Sequence, residues 1–184
     1  MELRDFGVFE NKIADSGLKV LNLALDESGR RKCFVTSEIL FLAFARTEWE
    51  VFSVLLSDLG LNPHEIFKKT EARLKKYSNT NVGISEEAKL ICQLALHHSA
   101  KAGRQTIGSR DIFIALLEQK DNMIAEEFNR KGIGSGAVIS MIGRKFKEDE
   151  LTREKLKKQF ELPPFLNHFA VNLNLLARQK SLTP

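Results

Sequence analysis

Val35-Thr36-Ser37-Glu38-Ile39-Leu40-Phe41-Leu42-Ala43 is nearly repeated 72 residues later as Ile107-Gly108-Ser109-Arg110-Asp111-Ile112-Phe113-Ile114-Ala115. Self-similarity at a fixed offset marks a duplicated module that buries its apolar face against its neighbour. A short apolar run fits a strand or a helix. Two features favour a helix: a serine placed to cap its start, Ser37 or Ser109, and an alanine at the same place in both copies. With the serines as N-caps, Glu38 falls at the first helical position and Asp111 at the second, where a negative charge meets the positive end of the helix dipole. Both helices are apolar on nearly every side, the pattern of a buried central helix.

The similarity extends to both sides of this stretch. Ile13-Ala14-Asp15 and Ile84-Ser85-Glu86 each place an apolar residue before a candidate N-cap followed by an acid, and Ser85 is the better cap. Beyond them Val20, Leu21, Leu23, Ala24 and Ser28 match Ile91, Cys92, Leu94, Ala95 and Ser99 at an offset of 71. Their recurrence three and four apart predicts an amphipathic helix twice. The basic turns Gly29-Arg30-Arg31-Lys32 and Ala100-Lys101-Ala102-Gly103-Arg104 differ by one residue, which accounts for the change of offset. After the central helix, Val51, Phe52, Leu55 and Leu56 answer to Met123, Ile124 and Phe128 in a third helix. It stops at Gly60 and Gly132, each a candidate C-cap. A fourth helix carries Ile66, Phe67 and Leu74, or Val138, Ile139 and Ile142. The chain therefore divides into a lead-in (1–12), a first four-helix unit (13–76), a polar connector (77–83), a second unit (84–142), a charge-dense linker (143–164) and a short apolar stretch (165–184).

Charge narrows the function. Lys plus Arg balance Asp plus Glu at 12 against 12 over residues 1–76 and 7 against 7 over 77–142, but stand 9 against 5 over 143–184. The net +4 therefore sits outside the two units, whereas a duplex-binding module carries a basic face on its folded part. A helical nucleic-acid binder acting through Arg144 to Lys158 is the reading this leaves to that class. The first dozen residues show no apolar leader, and the longest apolar runs fall well short of the roughly 20 residues of a membrane span. Cys33 and Cys92 are too few for a disulfide framework, so a reducing, cytoplasmic setting is expected.

Chemistry-bearing residues are sparse. His97 and His98 are adjacent on a helix and point about 100° apart, which does not suit one metal ion, and they are expected at a polar helix edge. Cys92 shares a face with Ile91 and Ala95 and reads as a small buried apolar group. No G-x-x-x-x-G-K-[ST] phosphate loop occurs; Gly132-Ile133-Gly134-Ser135-Gly136 lacks the lysine. No catalytic residue, cofactor or metal is expected. Phe41, Phe44, Phe67 and Phe113 fall on core faces, while Phe6, Phe9, Trp49 and Phe128 are candidates for either the core or an exposed groove for unfolded chains.

The duplicated pattern resembles the double Clp N-terminal domain of the AAA+ unfoldases ClpA, ClpB and ClpC, whose units open their second helix with a G-T-E-H-I-L-L-G-L-like motif. Thr36-Ser37-Glu38-Ile39-Leu40-Phe41-Leu42-Ala43-Phe44 and Gly108-Ser109-Arg110-Asp111-Ile112-Phe113-Ile114-Ala115-Leu116 hold those positions. Phe169-Ala170-Val171-Asn172-Leu173-Asn174-Leu175-Leu176-Ala177-Arg178 is similar to the entry of the first ATPase module of the same proteins. The resemblance implies an all-α fold of two tandem four-helix repeats with a pseudo-twofold relation, plus a C-terminal linker. It also implies a monomeric, non-enzymatic module that captures substrate proteins or docks adaptor proteins for an ATPase ring carried by the longer protein. A stand-alone regulatory or adaptor protein with the same repeats is the alternative. In some members the motif glutamate helps hold a phosphorylated arginine. Only Glu38, with Thr36 and Ser37 beside it, matches that role, because Arg110 holds the corresponding place in the second repeat.

Overall fold

The computed structural model describes residues 2–74, 82–119, 122–134 and 136–143. After two 3-10 turns, the first repeat folds as α1 (Asp15–Arg31), α2 (Ser37–Thr47), α3 (Trp49–Asp58) and α4 (Pro63–Leu74). The second folds as α5 (Glu86–Lys101), α6 (Ser109–Glu118), α7 (Met123–Arg130) and a helix over 136–143, here α8. The all-α expectation holds. The two repeats meet in two-residue strands, β1 (Phe34–Val35) and β2 (Gly83–Ile84).

The two central helices are buried as their composition demands. Ile39 to Ala45 and Asp111 to Leu117 are without exception buried. Phe41 and Phe113, the equivalent residues of the two repeats, face each other at 6.5 Å, and Phe44 stacks on Phe113 at 4.3 Å with the rings 4° from parallel. Phe52 from α3 closes the cluster edge-on against Phe41 at 5.4 Å. Each buried Phe contributes about 1.5–3 kcal/mol of transfer free energy, so this aromatic seam is a principal bond between the halves.

Backbone pairing across the seam is reciprocal. β1 pairs parallel with β2, Val35 opposite Ile84, while Ile13 bridges Ile107. Ile13 is the counterpart of Ile84, and Val35 of Ile107. The residue entering the first helix of each repeat thus pairs with the residue entering the second helix of the other. Ala14 N–H donates to Ile107 C=O at 2.9 Å, and its counterpart Ser85 N–H donates to Val35 C=O at 3.1 Å. This exchange is the pseudo-twofold relation, written in hydrogen bonds.

The two sides of the exchange differ in closeness. A Cβ on Gly17 of α1 would lie 2.5 Å from the Ile107 carbonyl oxygen, inside any real contact distance. The counterpart of Gly17 in α5 is Ala88, fully buried with its methyl group accommodated. Only glycine lets α1 come this near the other repeat's backbone.

Helix ends follow the expected chemistry with two corrections. Gly60 and Gly132 are left-handed, φ 70° and 74°, and the next residue's N–H in each case returns to the helix: Leu61 to Leu56 at 2.8 Å, Ile133 to Phe128 at 3.0 Å. Ser85 Oγ accepts from Ala88 N–H at 3.1 Å, as a cap should. Ser37 and Ser109, however, are the first helical residues and not the caps. The first i to i+4 bonds run from Leu40 N–H to Thr36 C=O and from Ile112 N–H to Gly108 C=O, so Thr36 and Gly108 are the caps. Glu38 and Asp111 accordingly move to the second and third helical positions.

The second correction concerns the extra residue. Left-handed Lys32 (φ 52°) and Gly103 (φ 73°) are still 71 apart, as are the turn bonds Cys33 N–H to Ser28 C=O and Arg104 N–H to Ser99 C=O. The insertion therefore lies between Arg104 and Ile107, after the basic turn. Contacts divide the chain into Met1–Ile142 and Gly143–Pro184. Apart from Gly143, the linker read over 143–164 and the ATPase-like entry over 165–184 lie outside the described residues, as do residues 77–81 of the connector.

Candidate functional site

Thr36, Ser37 and Glu38 are brought together at the start of α2, directly after β1. Thr36 is extended (φ −108°, ψ 176°) and caps with its backbone only. Its Oγ1 is buried without a hydrogen-bond partner among the described residues. Ser37 is buried, and its Oγ reaches Glu38 Oε2 at 3.4 Å, the long limit of a hydrogen bond. Glu38 is half-buried. No side chain among the described residues caps the first turn of α2, so its N–H groups lack a side-chain acceptor beside the Glu38 carboxylate. Such an end can take an acceptor on its N–H groups and a cation on Glu38.

The equivalent end of α6 is already occupied by the protein itself. Asp111 is 1% exposed; its Oδ2 accepts from Gly108 N–H at 2.9 Å and its Oδ1 from Arg104 Nη2. Ser109 N–H donates to Ser16 Oγ from the other repeat at 3.2 Å. The side chains that satisfy the α6 start have no counterpart at α2, where Ile39 stands in place of Asp111. The two helix starts are thus unequal in more than the exchange of Glu38 for Arg110.

Between the first two helices of each repeat the polar chemistry is structural. Glu27 on α1, 3% exposed, accepts from Arg30, Arg31 and Arg46, and Arg46 also donates to Glu71 at 2.8 Å. Burial pushes the Glu27 pKa up, but the Arg31 hydrogen bond and the charges of Arg46, Arg30 and Arg31 outweigh it and leave the carboxyl below its ordinary value. The corresponding pair in the second repeat is His98 on α5 with Glu118 on α6, 2.9 Å apart. His98 is thus a helix-edge residue that pairs across helices. Burial pushes the Cys92 thiol up to about 12 and raises that of Cys33, which keeps both protonated at neutral pH and disqualifies them as nucleophiles.

The aromatic residues divide between core and surface. Phe6 and Phe128 are buried, while Phe9 is 80% exposed. Phe67 is a correction: it is only half-buried, lying under the Arg46 guanidinium at 5.6 Å and against Trp49 at 5.9 Å. Sequence reasoning missed the Glu27–Arg46–Glu71 network. Arg30 and Arg31, three and four residues after Glu27, were visible in the helix pattern, but Arg46 and Glu71 reach it only through the fold.

A family model, the Clp repeat (R) N-terminal domain, matches residues 13–130. The chain belongs to this Clp family. It is a non-catalytic, all-α N-terminal domain of Clp-type chaperones. Solved structures of similar shape include the Hsp104 N-terminal domain from Candida albicans, with TM-score 0.61 and 15% identity, covering 71% of this chain and 89% of that one. The N-terminal domain of the caseinolytic protease associated chaperone ClpD from Arabidopsis thaliana superposes with TM-score 0.57 and 15% identity over 76% and 97% of the two chains. A structure from preliminary investigations of a malarial protein secretion system gives TM-score 0.61 and 16% identity over 74% and 96%. At these identities the likeness to each structure is one of fold. No curated protein sequence matches the chain significantly. No helix among the described residues of the Clp domain is long and apolar enough to cross a membrane.

Proposed function

We propose that this Clp N-terminal domain recognises proteins for an ATP-driven unfolding machine, capturing substrate proteins or docking the adaptors that deliver them. The observation that carries this reading is the family match across both repeats, 13–130, and not one half alone. On this reading the longer protein is a cytoplasmic ATPase, the domain itself is a monomer, and the α2 start formed by Thr36, Ser37 and Glu38 contributes to partner binding. The polar groups left open there support that assignment: uncapped first-turn N–H groups and a half-buried carboxylate. A guanidinium, plain or phosphorylated, is the group that would use both.

The test is a binding titration of the 184-residue chain with a permanently unfolded probe protein and with a phosphoarginine peptide. Capture of the unfolded probe supports the recognition reading, and its absence, together with salt-sensitive DNA binding that vanishes when residues 143–184 are removed, would replace it with the nucleic-acid reading. Glu38→Ala should weaken the phosphoarginine peptide roughly tenfold; unchanged affinity would remove the α2 start from the binding surface.

A further inference from the structure

A groove of about 220 Å³ runs between α4 of the first repeat and α7 of the second. Ile66 and Ile124 lie at its floor, and Lys69, Arg73, Glu127 and Arg130 stand along its walls. Lys69 Nζ is 2.9 Å from both Glu65 and Glu127, and Arg130 is 2.9 Å from Glu127. Those hydrogen bonds raise the Lys69 pKa and lower that of Glu127. The adjoining hollow adds Lys131. Four cations therefore face two carboxylates, and Arg73, exposed on α4, has no ion-pair partner among the described residues.

The other repeat carries only part of this charge in sequence. At an offset of 72 the floor is apolar in both repeats, Ile66 and Ile124 answering to Val138 and Phe52. The walls are matched only in part: Lys69, Glu127, Arg130 and Lys131 correspond to Met141, Leu55, Asp58 and Leu59, while Arg73 corresponds to Lys145. Of the four cations, only Arg73 keeps a cationic counterpart in the other repeat. Lys69 and Arg130 are held in place by Glu127, which leaves the excess positive charge at the groove mouth.

We propose that the α4–α7 groove binds a segment of a protein partner that carries an acidic side chain beside an aliphatic one, the carboxylate on Arg73 and the aliphatic group over Ile66 and Ile124. The excess is small and is mixed with the carboxylates of Glu65 and Glu127. That suits one or two side-chain carboxylates and opposes a run of phosphates, whose charges would meet those acids. The inference rests on the recognition reading and names the chemistry of one class of partner at a site separate from Glu38.

The test uses the 184-residue chain and a short fluorescein-labelled peptide with two Asp-Leu pairs in a Gly-Ser background, compared with its Asn-Leu twin by anisotropy. The Asp-Leu peptide should bind roughly tenfold more tightly than the twin, a difference of about 1.4 kcal/mol. Arg73→Glu should abolish that preference with an unchanged melting temperature, Lys101→Glu on α5 should preserve it, and hydrogen-exchange protection should fall on α4 and α7. Equal binding of the twin, an unaffected Arg73→Glu variant, protection on other helices, or a single-stranded oligonucleotide that displaces the peptide would each overturn the proposal. If the peptide fails while the unfolded probe is still captured, the groove assignment alone falls. If the probe is not captured either, the recognition reading falls with it.

Discussion

The two repeats hold their first and second helices together with the same geometry and opposite polarity. In the first, the acid Glu27 sits on α1 and the base Arg46 on α2; in the second, the base His98 sits on α5 and the acid Glu118 on α6. The helix starts show the same divergence, with Asp111 buried in α6 where α2 has Ile39. Apolar positions, by contrast, are retained in kind, Phe41 with Phe113 and Leu40–Ala45 with Ile112–Leu117 as buried runs. Packing depends on volume and face, which any large apolar residue supplies, so it survives duplication. Polar contacts need a specific partner in a specific place, and each repeat has settled on its own.

The strongest way to break the comparison is at the seam. Gly17→Ala should destabilise the chain by about 2–3 kcal/mol in urea unfolding, because the new methyl group meets the Ile107 carbonyl. Helix propensity alone predicts the opposite sign, a gain of about 1 kcal/mol. Ala88→Gly, the reverse exchange at the equivalent place, should cost only about 1 kcal/mol.

Next comes the swapped polar pair. Glu27→Gln should cost about 2 kcal/mol, reduced from the full value of a buried pair because the arginines are partly in solvent. His98→Gln should cost about 0.5 kcal/mol. The Glu27 carboxyl has a folded pKa below its ordinary 4.5, so its contribution is complete above that value and disappears as pH falls through the depressed one. Glu127 acts in the same direction. Wild-type stability should therefore fall more steeply than that of Glu27→Gln below about pH 4.5, a difference that denaturation at a series of pH values will register.

Smaller effects separate the helix starts. Asp111→Ala removes the bond to Gly108 N–H and strands Arg104, and should cost about 1.5 kcal/mol. Thr36→Val takes away a buried hydroxyl that has no partner among the described residues and should raise stability by about 0.5–1 kcal/mol. Thermal melts of the two variants should shift in opposite directions; a shared sign would mean that the two starts are held alike.

The fold was legible because its determinants are local or periodic. The offset of the repeat, the apolar faces of α1, α2, α5 and α6, and the glycine stops can all be read without knowing what touches what. Ser37 and Ser109 were misplaced by one because a serine cap and a serine in the first turn look alike in sequence, and only the bond from Leu40 to Thr36 separates them. Phe67 was misread as core since helical spacing cannot show that it lies under the exposed Arg46 and beside the half-buried Trp49. The closed state of the α6 start needed Ser16, 93 residues away, and was invisible for that reason. The α4–α7 groove joins helices from different repeats, so no window of sequence contains it.

The reciprocal bridges also constrain the order in which this protein can fold. Ile13 pairs with Ile107, 94 residues further along, and Val35 with Ile84. As the chain leaves the ribosome, the first repeat has neither partner edge, and Phe41 and Phe44 lack the Phe113 ring that covers them. Closing such distant contacts is slow relative to winding the helices, because chain entropy must be lost before the contacts are gained. The two halves are therefore expected to become stable together, in one late step, once α6 has been synthesised, and a chain stopped before Ser109 should remain a loose helical intermediate with its aromatic seam exposed.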